Sequence, residues 1–195
     1  MKTDARVRYT RMRIKHAFLE CLTEKPVSKI TVKEVCDMAE INRATFYKHY
    51  ADPFDLLEKL EDEALAWLEK TIGEDRSREG ILLTILHSLS GTDNPYGALA
   101  SANGDPGFAG RISSLFYRKY RPRIAQQLPG CTQEEQTAVY LFIVGGCSRL
   151  LAGWMQEGKN TPPEEVALRL EAMTDAFVRA YGERAARSTV NSPGA

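Results

Sequence analysis

The spacing of apolar residues along the chain predicts helices. Near the N-terminus the apolar positions recur three and four residues apart, at Ile14, Ala17, Phe18, Cys21 and Leu22. That spacing places them on one face of an amphipathic helix, whereas a half-buried strand needs an apolar residue at every second position. No segment of the sequence alternates strictly in that way. The sequence therefore predicts an all-α fold.

Two short helices around a tight turn are predicted between residues 31 and 50. Thr31, followed three residues later by Glu34, has the pattern of a capping box that begins a helix. Asn42 can cap a second helix directly after the turn. In that second helix Phe46 and Tyr50 are four positions apart, so they share the inward face.

The outward face of this second helix has a composition that suits nucleic acid. Arg43, Tyr47 and Lys48 lie there, and residues 43–50 contain no acidic side chain. Basic and polar side chains bind phosphates, and an arginine can contact a guanine edge with two hydrogen bonds. A solvated helix surface can have the same composition, and the residues alone leave that alternative open.

The rest of the chain is predicted to be a larger helical domain. Asp52 and Pro53 cap and begin a linking helix. Further helices are predicted at 79–89, 110–127 and 133–158, and from Thr161 onward. The Gly/Pro-rich segment 91–110 is expected to be irregular, with one helical turn near 98–102, and Pro122 is expected to kink or end its helix. The predicted division is a helix-turn-helix domain at 1–52, a linking helix at 53–71, a second domain at 72–184 and a disordered tail at 185–195.

Composition refines this picture through the distribution of charge. The 195 residues are 43% hydrophobic and 27% charged, which is ordinary for a globular protein with a substantial core. The formal net charge is zero. Residues 1–53 nevertheless carry eleven basic and seven acidic side chains, so a basic head precedes an acidic body. Because the basic residues are concentrated in residues 1–53, a net charge of zero for the whole chain does not argue against a nucleic-acid partner.

The candidate chemistry of an enzyme is missing from the sequence. The four cysteines are scattered, with no Cys-x-x-Cys pair and no histidine at metal-ligand spacing. There is no glycine-rich phosphate loop and no Ser or Cys nucleophile with an identifiable base. We therefore predict no catalytic residue, metal or cofactor. The first residues lack the pattern of a signal peptide, so we expect a reduced cytoplasmic protein.

One segment, 137–155, is long and apolar enough for a membrane span. It contains three glycines and one charge, Arg149. That charge near the bilayer centre would cost about 3 kcal/mol. We therefore expect a helix buried on most sides by protein and no membrane partner.

Three parts of the chain together resemble the TetR/AcrR family of bacterial transcriptional regulators. They are the first helix, residues 31–57, and the late segment 142–173. The most specific part is the pattern I-T-V-x-x-V-x-x-x-A-x-I-x-x-x-T-F-Y-x-x-Y, which begins at Ile30. The resemblance implies a homodimer that binds a palindromic operator in double-stranded DNA, most commonly as a repressor. Segment 50–57 is most similar to the subgroup that includes regulators of dihydroxyacetone kinase operons.

The resemblance also implies which residues contact DNA. Thr31 and Lys33 would contact phosphates, whereas Tyr47 and His49 would contact the DNA backbone. The residues expected at base edges are Arg43, Ala44, Thr45 and Lys48. An N-terminal arm would consist of Lys2, Arg6 and Arg8. Two positions depart from the family pattern. Glu40 replaces the usual turn glycine, so either the turn is reshaped or Glu40 takes a left-handed conformation at some cost. Pro53 replaces a lysine that would bind phosphate.

Regulation is expected to involve the second domain, either through a small-molecule effector or through a protein co-regulator. Candidate pocket residues are the aromatic side chains Phe108, Phe116, Phe142 and Trp154. Aromatics at helical spacing also pack ordinary cores, so that alternative stays open. The resemblance implies a four-helix dimer bundle with the interface candidates Gly145, Gly146, Leu150, Leu170, Met173 and Phe177. The two glycines could instead only bend their helix.

Overall fold

All regular secondary structure in the described part of the chain is helical, which confirms the all-α prediction. The computed structural model describes residues 2–73, 78–90, 98–99, 103–158 and 160–190. The helices are α1 (Lys2–Glu24), α2 (Val32–Met38), α3 (Arg43–Tyr47), α4 (Pro53–Gly73), α5 (Arg78–Ser90), α6 (Phe108–Gln127), α7 (Gln133–Gln156) and α8 (Pro163–Val190), with a short 3-10 turn at Val27–Lys29. Ala98 and Leu99 are also helical, while the rest of the helical turn predicted at 98–102 lies outside the described residues.

The chain divides into two compact units. The first contains the described residues of Met1–Lys70 and Gly91–Ile112, and the second those of Thr71–Ser90 and Ser113–Ala195. The sequence had suggested a single second domain from residue 72 onward. The described residues of Gly91–Ile112 belong to the first unit instead, because Leu99 and Phe108 are buried in its core.

The core of the first unit is built from the apolar faces that the sequence pattern indicates. Ile14, Phe18 and Leu22 from α1 pack in one cluster with Phe46 and Tyr50, and all five are at most 2% exposed. Burying one such large apolar side chain contributes roughly 1.5–3 kcal/mol. This cluster therefore fixes how α1 to α4 are held together.

The turn before α3 contains a strained residue. Glu40 has a φ of 49°, the left-handed conformation that was one of the two alternatives for this turn. A side chain in that region costs roughly 1–2 kcal/mol relative to glycine. Arg13 of α1 forms an ion pair with the Glu40 carboxylate at 2.5 Å. The turn is thus held from outside by α1.

The second unit has two apolar clusters. In one, Leu128 and Val139 pack with Val178, and in the other Leu86 and Leu170 pack around a tryptophan. Several cluster residues come from α7 and α8, which each contribute to both. The four cysteines of the chain are free thiols, three of them buried, and burial raises the pKa of the thiols of Cys21, Cys36 and Cys131.

One of the late helix ends agrees with the sequence-based expectation and one differs. α6 reaches Gln127 as predicted and does not end at Pro122, because the buried side chains of Ile124 and Leu128 hold the turn that follows the proline. A proline inside a helix removes one backbone hydrogen bond, and this packing compensates for it. α8 is helical to Val190, so residues 185–190 of the predicted tail extend the last helix, while 191–195 lie outside the described residues.

Helix α7 is far more exposed than expected. It is long and apolar enough to cross a membrane, with a mean hydropathy of 1.5 over its most apolar 18 residues, and only 17% of that window is buried within the chain. The expectation of a helix buried on most sides was wrong for the single chain. Tyr140 and Trp154 of α7 are buried within the chain, whereas Leu141, Phe142 and Leu150 are exposed to solvent.

Candidate nucleic-acid interface

Helix α3 has one buried and one exposed face. Phe46 is completely buried and its ring lies 5.7 Å from that of Tyr50, so the helix is anchored on this side. On the other side Arg43, Ala44 and Lys48 are exposed, and the neighbouring Tyr47 is 58% exposed. The anchored aromatic residues therefore fix the direction in which these side chains point.

Local capping determines where α2 and α3 begin. The hydroxyl of Thr31 accepts a hydrogen bond from the backbone N–H of Glu34, and the Glu34 carboxylate accepts one from the backbone N–H of Thr31. Hydrogen bonds from Lys25 and from Thr31 lower the pKa of Glu34 to about 2. Both capping predictions are confirmed, since Asn42 Oδ1 accepts the backbone N–H of Thr45 at 2.7 Å.

Two of the expected contact residues are less available than the sequence suggested. Thr45 is half-buried, and its hydroxyl donates to Asn42 Oδ1 at 2.9 Å, so its hydrogen is used inside the cap. His49 is also half-buried. Burial lowers its pKa, and the nearby charges of Arg11 and Lys48 lower it further, so its environment favours the uncharged ring.

Cations without an acidic partner are found on both helices of the motif. Lys33 on α2 and Arg43 and Lys48 on α3 are exposed, and none of them has an ion-pair partner within the described part of the chain. In contrast, Arg13 is paired with Glu40. Unpaired exposed cations are the groups that neutralise phosphates.

The end of α3 is tied to the start of α4. Lys59 donates to the backbone carbonyl of His49 at 3.3 Å and pairs with Asp55 at 2.9 Å, while Asp55 Oδ2 accepts the backbone N–H of Ala51 at 2.8 Å. The hydrogen bond from Lys59 and that from Ala51 lower the pKa of Asp55. Asp52 Oδ1 caps α4, which begins at Pro53 as expected. This places α3 firmly against the linking helix.

The structure reveals a buried ion pair that sequence reasoning missed. Glu61 of α4 is 2% exposed and pairs with Arg111 of α6, which also contacts Asp105 at 3.3 Å. Burial raises the pKa of Glu61, and the Arg111 charge acts in the opposite direction. Nearby, Asn103 donates to the backbone carbonyl of Leu22 at 3.0 Å. Together these contacts attach residues 103–111 to the first unit.

The four aromatic pocket candidates are not brought together. Phe108 lies in the core of the first unit, and Phe116 is half-buried beside the cluster of Leu128 in the second. Phe142 is 66% exposed and stacks on a neighbouring ring of α8, while Trp154 is buried in the other cluster, where its Nε1 donates to a backbone carbonyl. Phe108, Phe116 and Trp154 thus belong to three different clusters, and Phe142 belongs to none of them.

The dimer-interface candidates are divided in the same way. Gly145, Gly146, Leu150 and Met173 are exposed, and Phe177 is half-buried. Leu170 is only 3% exposed because it packs with Trp154 inside its own chain. It therefore supports the helix from within and is not available to a second copy. Leu141 and Phe142 are further exposed apolar residues of α7.

A capped helix, a tight turn and a second helix with an exposed basic face define a helix-turn-helix DNA-binding protein. The TetR_C_8 family, described as the transcriptional regulator C-terminal region, matches residues 78–176 of this chain. The chain belongs to the TetR family of transcriptional regulators. The members of this family are DNA-binding regulators and not enzymes.

Individual relatives are consistent with this assignment. The uncharacterized HTH-type transcriptional regulator YxbF of Bacillus subtilis (strain 168) is 29% identical over 178 residues, which cover 84% of this chain. The match covers 44% of that relative, so this chain spans less than half of its length.

Solved structures share the fold over nearly the whole chain. A TetR transcriptional regulator from Streptococcus agalactiae 2603V superposes with a TM-score of 0.64 and 26% identity, covering 89% of this chain and 98% of that one. The dihydroxyacetone kinase operon activator DhaS superposes with a TM-score of 0.57 over 88% of this chain and 97% of that one. At 17% identity, the likeness to DhaS shows the fold alone.

Proposed function

We propose that this TetR-family regulator is a cytoplasmic homodimeric repressor that binds a palindromic operator and is released from it by a small-molecule effector. The observation that carries the proposal is the divided surface of α3. Phe46 holds the helix from within, while Arg43, Ala44 and Lys48 face outward without acidic neighbours on the helix.

The proposed contacts follow from the side chains that are exposed. Arg43 and Lys48 reach base edges, where Arg43 can bind guanine through two hydrogen bonds. Ala44 offers a methyl group to a thymine methyl. Lys33 and Tyr47 contact phosphates and sugars. The half-buried Thr45 and His49, and the capping residue Thr31, contribute contacts of lesser energy because their polar groups are already engaged or uncharged.

An N-terminal extension of the interface is provided by α1. Arg6 and Arg8 are exposed near its start, and neither has an ion-pair partner among the described residues. They can neutralise further phosphates, which compensates for the lysine that is missing at Pro53. In a plot of the logarithm of the binding constant against the logarithm of the salt concentration, each neutralised phosphate makes the slope more negative by about 0.9.

Dimerisation is supported by the exposed apolar residues of α7 and α8. Phe142 and Leu150 on α7 and Leu168 and Met173 on α8 are all exposed in the single chain. A monomeric protein seldom leaves such a set in water, and a second copy can cover it. Gly145 and Gly146 have open space above their Cα atoms, so a partner helix can approach closely there.

The experiment that tests the proposal is footprinting on the DNA that flanks the protein's own gene, combined with measurement of the stoichiometry. We expect protection of a palindrome with half-sites about 34–36 Å apart, and two protomers per site. Protection that appears only when a second protein is added would favour control by a protein co-regulator. A transcription assay on the same fragment distinguishes repression from activation.

A further inference from the structure

A cleft in the second unit is lined by two polar strips. It is open to solvent and has a volume of about 260 Å³; its lining residues are Ser113, Ser114, Tyr117 and Arg118 of α6 and Thr137, Tyr140 and Leu141 of α7. Within each helix these residues are three and four positions apart, so each set forms one continuous face. The rings of Tyr117 and Tyr140 lie 4.8 Å apart between the two strips.

The hydroxyl groups of the cleft are arranged to accept hydrogen bonds. Tyr140 donates its hydroxyl hydrogen to the backbone carbonyl of Ser113, and Thr137 donates to the backbone carbonyl of Gln133 at 2.8 Å. Tyr117 OH lies 3.1 Å from Thr137 Oγ1, whose hydrogen is already used, so Tyr117 donates here too. The hydroxyl oxygens of Tyr117, Thr137 and Tyr140 can therefore accept hydrogen bonds from donor groups of a ligand.

The α6 side of the cleft carries a positive charge. Arg118 lines it and has no ion-pair partner in the described part of the chain. Helix α6 contains no acidic residue that could neutralise this charge from the same helix. An exposed guanidinium group without an acidic partner favours an anionic group on the ligand.

The volume limits the ligand to a small molecule. Sites for drug-sized ligands occupy roughly 300–1,000 Å³, and this cleft lies just below that range. We propose that the cleft binds a small hydroxylated organic anion, whose anionic group pairs with Arg118 and whose hydroxyl groups donate to the oxygens of Tyr117 and Tyr140. The identification of this anion as the effector rests on the proposed function, whereas its binding to the cleft does not.

Titration calorimetry without DNA tests the site. Glucose 6-phosphate and gluconate carry hydroxyl groups with a phosphate or a carboxylate, glucose carries the hydroxyl groups alone, and inorganic phosphate carries the charge alone. We expect at least one of the two hydroxylated anions to bind with a Kd of about 1 mM or below. Glucose and inorganic phosphate are expected to bind more weakly, because each makes only one kind of contact.

Variants locate the binding. Arg118→Gln should weaken the anion about tenfold or more, since a hydrogen bond to a charged group is lost. Lys119→Gln, an exposed cation beside it that does not line the cleft, should change affinity by less than about twofold. Tyr117→Phe should weaken binding of the hydroxylated anions and leave inorganic phosphate unchanged.

Two outcomes would overturn the proposal. One is that neither hydroxylated anion binds at about 10 mM, a concentration well above the expected Kd. The other is that Arg118→Gln and Lys119→Gln bind as well as the wild type. Release of the protein from its operator is measured separately. If the anion binds but does not release the operator, the site is retained and only its effector role is rejected. If the protein binds no operator at all, the calorimetric result on the anion still stands.

Discussion

At the residue scale, the turn of the DNA-binding motif depends on one unusual side chain. Glu40 is in the left-handed conformation, where most residues other than glycine are strained. Its carboxylate pairs with Arg13, but the Glu40 side chain is largely exposed, so the pair contributes at most about 1 kcal/mol. Strain and ion pair therefore have similar magnitudes and opposite signs.

Substitution of Glu40 separates the two effects. Glu40→Gln removes the charge and keeps the strain, whereas Glu40→Gly removes both. We expect the glycine variant to be more stable than the glutamine variant by about 1 kcal/mol, measured as the free energy of unfolding in urea. A glycine variant less stable than the glutamine variant would show that the backbone is not strained at this position.

The capping residues and Glu61 show what the sequence does and does not contain. The partners in the caps of α2 and α3 are three residues apart, so local chemistry alone predicts them. Glu61 and Arg111 are fifty residues apart, and no spacing rule connects them. Asn103 likewise reaches back to Leu22 across 81 residues. These contacts depend on how the helices pack, which the sequence pattern does not specify.

At the element scale, α4 is held from two sides within the first unit. Lys59 and Asp55 attach it to the end of α3, and the buried Glu61 attaches it to Arg111 at the start of α6. Breaking a buried ion pair is destabilising because one charge is left without a partner. Arg111 is partly exposed, so water screens part of that loss.

The raised pKa of Glu61 gives this contact a pH dependence. The folded state binds the Glu61 proton more tightly than the unfolded state does, so protonation of Glu61 stabilises the fold. This stabilisation is fully present below the ordinary pKa of 4.5 and is lost as the pH rises through the raised pKa of the folded state. Glu61→Gln abolishes this titration, so its stability relative to the wild type should improve as the pH rises from about 4.5 towards neutrality.

Urea denaturation of both proteins across that pH range measures the difference. Glu58→Gln, which removes an exposed carboxyl group of the same helix, is the matched control. A stability difference between wild type and Glu61→Gln that stays constant with pH, or that moves in the opposite direction, would contradict the role of burial at Glu61.

At the scale of the whole molecule, the proposed dimer depends on the exposed apolar residues of α7 and α8. The sequence predicted an interface here, and four of its six residues are exposed as an interface needs. Leu170 packs inside its own chain, because the periodic seam of α8 does not distinguish the side that is buried within the unit. Phe142, a pocket candidate from the sequence, is exposed and stacks on Phe177, so we propose that it belongs to this surface.

Introducing a charge into this surface tests dimerisation. The wild type should sediment at about twice its monomer mass of 21.8 kDa. Phe142→Glu or Gly146→Glu should give monomers or aggregates, since a carboxylate cannot be buried against apolar side chains without a large cost. Gln126→Glu, an exposed position on α6, should remain dimeric. A stable wild-type monomer at micromolar concentration would contradict the proposed homodimer.

The central claim is that α3 reads DNA through Arg43 and Lys48, and operator affinity tests it most directly. Fluorescence anisotropy with a labelled operator fragment compares the wild type with Arg43→Ala, Lys48→Ala and the control Lys70→Ala, an exposed cation of α4 outside the motif. Melting temperatures are measured in parallel. Each of the first two variants should lose roughly 1–3 kcal/mol of binding free energy, about 5- to 150-fold in affinity, with unchanged melting. Operator affinity equal to that of the wild type in both variants would contradict the assignment of α3 as the recognition helix.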